Sequence, residues 1–191
     1  MARFLLATFW LSLALLPARA DGELDRIITQ ADRARLERHE TVRAEALVEA
    51  ERGGDPEAVK RLKALLAEPK LGFDGFDMMG DWQCRVTKVG GLLPIVTYDW
   101  FRCHVSDDGS GWRLEKLTGS QRTAGRFFTR DDRALVYLGS RYVRGETPKP
   151  YGSGPESDQV GLAFRTGPDE WRIELPAPAF ESKLDLIEFR R

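Results

Sequence analysis

The sequence predicts an α+β protein in which an N-terminal helical hairpin packs on a C-terminal antiparallel eight-stranded up-and-down β-barrel. Three observations lead to this fold. Residues 21–70 are rich in Ala, Leu, Glu and Arg and hold almost no aromatic residue, a helix-forming composition. From about Gly72 onward, aromatic and β-branched residues take over, with turn signals recurring every ~8–12 positions. The connections between the candidate strands are mostly short, so that neighbours in sequence pair in space. Eight such strands close most simply into a barrel that leaves no edge exposed.

The chain opens with MARFLLATFWLSLALLPARA, in which Arg3 precedes an apolar run from Phe4 to Leu16 and small residues stand at Ala18 and Ala20. That order predicts a signal peptide over residues 1–20, cleaved before Asp21. The apolar run falls short of the ~20 residues a membrane-spanning helix needs, so no stable membrane insertion is expected after cleavage. A periplasmic or secreted location follows. Cleavage also removes Arg3 and Arg19, leaving the mature chain slightly more acidic than the formal charge of −1 of the whole sequence. Such a mixed, near-neutral surface argues against a nucleic-acid partner.

In the helical segment, Leu36, His39, Val42, Ala46, Leu47 and Ala50 recur at three- and four-residue steps, giving one apolar face to a helix from near Ile28 to Ala50. Gly53-Gly54 ends it. Asp55-Pro56-Glu57 then supplies an N-cap, a first-turn proline and a first-turn acid for a second helix with a Val59, Leu62, Leu65, Leu66 stripe. The barrel domain, residues 71–191, is read as strands at 80–89, 95–105, 111–118, 123–130, 133–139, 157–166, 170–175 and 180–190. Alternation assigns inward faces that include Trp82 and Cys84, Phe101 and Cys103, Trp112 and Leu114, Phe127, Val136 and Leu138, Val160, Leu162 and Phe164, and Trp171, Ile173 and Leu175. The Gly-, Pro- and Ser-rich stretch Gly139–Glu156 reads as a mobile mouth loop that presents Tyr142 and Tyr151 as speculative binding residues.

Cys84 and Cys103 are the two cysteines. A hairpin turning near Leu93 and Pro94 places them opposite one another, and export delivers them to an oxidising compartment, so a structural disulfide is expected. The spacing is not CxxC, which disfavours a redox or metal role.

Two resemblances add to this reading. Gly80-Asp81-Trp82 at the first strand and Arg190 at the last resemble a calycin of the lipocalin type, and that likeness implies a Trp82–Arg190 contact across the closed end of the barrel. Over nearly its whole length, through GDWQCRV, FRCHV, LEKLTGSQRTAGRFF and the terminal LIEFRR, the chain resembles an exported proteobacterial family of uncharacterised proteins, domain of unknown function 4893. That likeness implies an envelope protein and no particular activity.

The residues assemble no catalytic constellation. His39 and His104, the two histidines, read as a packed helix residue and a solvated strand residue. No HExxH or paired CxxC is present, and Gly152-Ser153-Gly154-Pro155 lacks the GK[ST] ending of a phosphate loop. No catalytic residue, metal or cofactor is expected. The leading functional expectation is a non-catalytic protein-interaction or inhibitor-like module with an envelope protein as partner. The alternative is a lipocalin-like binder of a small apolar ligand, and an enzyme comes third. Because the inward positions carry bulky side chains, the barrel is expected to be mostly filled, with at most a shallow pocket near the Gly139–Glu156 loop.

Overall fold

The computed structural model describes residues 21–191, and the expected signal peptide, Met1–Ala20, lies outside the described residues. Four helices, α1 (Asp21–Ile27), α2 (Gln30–Glu37), α3 (His39–Gly53) and α4 (Pro56–Ala67), precede nine strands. These are β1 (Gly80–Val89), β2 (Ile95–Thr97), β3 (Phe101–Asp107), β4 (Trp112–Lys116), β5 (Gln121–Asp131), β6 (Ala134–Val143), β7 (Asp158–Arg165), β8 (Glu170–Pro176) and β9 (Leu184–Arg190). β1 pairs with β3, each later strand pairs with the next, and β1 returns to pair with β9 over Gln83–Val89, all antiparallel. The result is a closed eight-stranded barrel, with β2 added as a short ninth strand beside the upper half of β1.

The second helix begins as expected: the Asp55 carboxylate accepts the Ala58 N–H at 2.9 Å, and Pro56 fills the first turn. The first does not run unbroken. Thr29 caps α2 by accepting the Asp32 N–H, and the chain bends at Arg38 before α3. A straight rod would leave the curved barrel wall. The bend lets Leu36 join the outward residues of β6 and β7, while Ala46 and Ala50 meet Val89, Leu184 and Leu186 on β1 and β9.

This helical cover corrects the inward assignment on two strands. Val136, Leu138, Val160, Leu162 and Phe164 face outward, beneath α1 and α2, while Leu135, Tyr137 and Ala163 face the barrel interior. Both faces of β6 and β7 are buried, so apolar residues occupy both phases and alternation loses its power to choose between them. Elsewhere the assignment holds: Trp82, Cys84, Cys103, Leu114, Phe127, Trp171, Ile173 and Leu175 all lie in the interior cluster.

The interior is filled by aromatic rings. Trp171 stacks on Phe189 at 3.6 Å with only 2° between the planes, and Trp82 and Phe127 meet Trp171 edge-on at 5.8 and 5.6 Å. Residues 73–78 plug the lower end, where Phe73, Phe76 and Met78 join the core and the Trp82 indole N–H donates to the Met78 carbonyl at 2.8 Å.

The cation above Trp82 is Arg191, at 4.4 Å, and not Arg190. Phe189 points inward, so Arg190 points outward, where it stacks on Trp100 at 3.9 Å and donates to Gln83. One residue further, Arg191 falls over the barrel end and donates to the Met79 and Asp77 carbonyls. The expected contact therefore exists with a neighbouring residue, displaced by the two-residue period of the strand.

Cys84 and Cys103 are bridged, with their Cα atoms 5.9 Å apart. They are diagonal rather than opposite: Cys84 pairs with Phe101 and Cys103 with Trp82. The expected 95–105 strand is interrupted at residues 98–100, which shifts the register between β2 and β3. Removing the bridge with Cys84→Ser and Cys103→Ser is expected to lower stability by about 3 kcal/mol, the loop-closure value for this span, measured by denaturant unfolding. Trp82→Ala is expected to cost about 3–5 kcal/mol as a large core truncation. Arg190→Ala, which leaves Trp82 and its covering cation in place, is expected to cost less than about 1 kcal/mol.

Candidate functional site

With the lower end plugged and the middle filled, the upper rim is where the barrel opens. Four loops form it: residues 90–94, 117–120, 144–157 and 177–183. Strand alternation carries the inward columns up to this rim, and the last inward residue of several columns is charged. Lys88 follows Val86 on β1, Lys116 follows Leu114 on β4, Arg141 follows Gly139 on β6, and Asp185 precedes Ile187 on β9. Register confirms the facing, since Lys116 pairs with the inward Cys103 and Lys88 with Asp185. They line a half-enclosed cavity of about 60 Å³ with Val86, Leu175 and Ile187 at its base.

Lys116 is only 4 % exposed. Its ammonium donates to the Gln121 carbonyl at 2.7 Å and sits 3.7 Å above the Phe101 ring. Burial, followed by the nearby charges of Arg122 and Lys88, pushes its pKa down to about 8. Lys88 is paired with Glu181, whose carboxyl that contact holds below its usual range. Asp185 accepts from the Ser182 hydroxyl, and burial raises its pKa. Deeper in, Thr123 Oγ1 joins Tyr137 Oη and Gln159 Oε1, both at 2.5 Å.

The 177–183 loop lies over this cavity. Two non-glycine residues in it, Ala177 and Glu181, hold positive φ angles of 46° and 69°, a local conformation costing ~1–2 kcal/mol each. The β1–β2 turn anchors it: the Leu92 N–H donates to the Glu181 carbonyl at 2.8 Å. Gly91 permits that approach, having φ of 84° and a position where any Cβ would lie 2.6 Å from the same carbonyl oxygen.

The two expected mouth-loop residues are placed differently. Tyr142 is buried within β6, so the strand runs past the expected end at Gly139. Tyr151 does lie in the loop, but it is half-buried, and its hydroxyl donates to Asp32 on α2 at 2.6 Å and accepts from the Thr29 N–H. Burial and the Asp32 carboxylate raise its pKa to about 12. The loop is thus clasped to a helix. Its Gly152, Ser153 and Gly154 N–H groups wrap the Asp158 carboxylate at 3.1–3.2 Å, an anion nest occupied by the protein's own side chain. The shallow pocket expected beside this loop is an open groove of about 470 Å³ against α2.

Both histidines are engaged away from the rim. His104, on the outside of β3, bonds Asp81 at 2.7 Å. His39 is buried between α3 and the barrel wall, 3.0 Å from Glu174, which also contacts Arg172 at 2.9 Å and Arg43 at 3.7 Å. Burial alone would raise the Glu174 pKa; contact with His39 and the charges of Arg172 and Arg43 hold it instead at about 2. This cluster clamps α3 to β8, and Arg43 alone of its members reaches an open groove of about 340 Å³ between α3 and α4.

The sequence matches the family described as Domain of unknown function (DUF4893) over residues 25–189. The chain belongs to this family. The match spans the helices and the whole strand meander, so helical cover and barrel belong to one family unit. No curated protein and no solved structure matches the chain.

Lys88, Lys116, Arg141 and Asp185 were not singled out by sequence reading. A signal existed: Lys116 continues the inward phase already assigned to Trp112 and Leu114, and a lysine at an inward barrel position is unusual.

The outer clamp and the buried lysine respond oppositely to mutation, and each makes stability rise with pH in its own window. Glu174 contributes stability that is complete above its ordinary pKa of 4.5 and lost as pH falls toward 2, so acid unfolding should steepen across that window. Glu174→Leu, leaving Arg172 and His39 only their more exposed partners Glu68 and Glu40, is expected to cost about 3–5 kcal/mol at neutral pH. Lys116 has the lower pKa in the folded state, so stability should rise with pH from about 8 to 10.5. Lys116→Met is expected to stabilise by about 1–2 kcal/mol after allowance for solvent screening. Denaturant melts of the three proteins across pH check both signs.

Proposed function

We propose that the protein is a non-catalytic binding module of the bacterial envelope that docks another protein on the rim of its barrel. The observation that carries this reading is the set of exposed apolar side chains on the rim loops: Leu92 at 77 %, Leu93 at 55 %, Phe180 at 43 % and Val143 at 40 %. They are linked through one residue. Glu181 takes the Leu92 N–H on one side, contacts Gln121 on another, and follows Phe180, while Gln121 pairs with Val143. Grouped exposed apolar residues mark association surfaces more often than scattered ones do.

The filled interior supports a protein partner over a small apolar ligand held inside the barrel, since the cavity of about 60 Å³ is far below the ~300–1,000 Å³ of a small-molecule site. The disulfide supports an oxidising compartment, and with the leader-like first segment it supports the periplasm. No described helix is long and apolar enough to cross a membrane.

Affinity capture from periplasmic extract, with the mature protein and with Leu92→Asp and Phe180→Asp forms as baits, tests the reading. The expected result is a partner retained by the parent and lost, by about tenfold or more, from either variant. Equal retention by all three would remove the rim from the interface.

A further inference from the structure

The proposal above leaves the charged cavity beneath the rim unused, and its side chains are unevenly committed. The Lys88 ammonium is taken by Glu181, the Asp158 carboxylate by three backbone N–H groups, and Asp185 by Ser182. Two cations remain. Lys116 uses one of its three ammonium donors, on the Gln121 carbonyl. Arg141 lies 4.6 Å from the Phe180 ring, and among the described residues neither cation has a carboxylate within salt-bridge distance. A lysine buried to 4 % exposure without a counter-ion is held at a cost in stability, and its one hydrogen bond, to the Gln121 carbonyl, leaves two ammonium donors for a ligand.

We propose that this cavity binds a single carboxylate group on a short aliphatic stem, its oxygens held by Lys116 and Arg141 and its stem resting on Val86, Leu175 and Ile187 beneath Phe180. Size, charge and lining each select for it. A volume of about 60 Å³ accepts a carboxylate with a carbon or two and no large ring. The guanidinium fork and the ammonium together match the two oxygens of a carboxylate. Asp185 and Glu181, also lining the cavity, oppose a doubly charged phosphate or sulfate more strongly than a monoanion. The apolar base favours a carbon stem over bare inorganic anions. Such a carboxylate comes either from a free short aliphatic acid or from a protein, as an acidic side chain or a chain terminus seated when the rim is docked. The site itself does not depend on the rim reading.

The test is titration of ¹⁵N-labelled mature protein with butyrate, propionate, inorganic phosphate and sulfate, followed by backbone amide shifts. Two peptides with the same sequence, one ending in a free carboxylate and one amidated, form the second arm. Saturable shifts at Lys116, Gln121, Arg141 and Phe180 with butyrate or propionate, weakened about tenfold or more in Lys116→Met and in Arg141→Gln, are expected. Both variants should melt at or above the parent temperature, which separates loss of the site from loss of the fold. Phosphate or sulfate binding more tightly than the carboxylates would overturn the assignment, as would the absence of any saturable shift. The free-carboxylate peptide binding more tightly than propionate, with that advantage lost in Leu92→Asp, assigns the source to a protein partner; equal binding assigns it to a free acid. Leu92→Asp should leave butyrate binding intact, so failure of rim docking and failure of the carboxylate site are read separately.

Discussion

The pairing of β1 with β9 turns a linear meander into a closed wall, and nearly every other feature of the structure is anchored to that seam. Val86 faces Ile187 and Cys84 faces Phe189 across it, so the ring stack of Phe189 on Trp171 forms where the two ends of the barrel meet. β1 also carries the disulfide to β3 and holds β2 along its upper half. Below the seam, Arg191 covers Trp82 and ties the last residue to the plug through the Met79 and Asp77 carbonyls. A closed antiparallel barrel satisfies its backbone groups without an edge, and here closure also sets which residues can reach either end.

Closure leaves an outer surface that is unusually apolar on β6 and β7, and the helices exist to cover it. α1 and α2 bury Val136, Leu138, Val160, Leu162 and Phe164, whereas α3 and α4 bury Val89, Leu184 and Leu186. The contact includes a polar exception in Arg172, Glu174 and His39, all buried. Buried ion clusters contribute little net stability but penalise any arrangement that separates their members. Their role here is to fix where α3 lies on the wall, which in turn positions Glu49 to accept the Gly91 N–H at the rim.

The rim is where fold and function meet. Filling of the middle by Trp82, Phe127, Tyr137 and Trp171 leaves only the last inward layer open, and that layer is charged. The loop above it keeps two left-handed non-glycine residues in place through its contact with Gly91. Backbone strain held by surrounding contacts is a recurrent property of binding loops, and it coincides here with a buried lysine that has no carboxylate partner among the described residues.

The sequence by itself determined the secondary structure class, the order of the strands and the pairing of Cys84 with Cys103, because these follow from composition, two-residue alternation and turn chemistry, all local properties. Likeness to a calycin implied that Arg190 covers Trp82, and the covering cation is its neighbour, Arg191. Only the tertiary structure decided which phase of β6 and β7 faces inward, since helices packed outside a barrel make both phases apolar. It decided likewise that Arg191, one residue beyond Arg190, reaches the barrel end, that Tyr142 and Tyr151 are packed rather than presented, and that Lys116 and Arg141 converge. Convergence of residues twenty-five positions apart depends on strand register and barrel closure, and those are long-range constraints that no window of sequence contains.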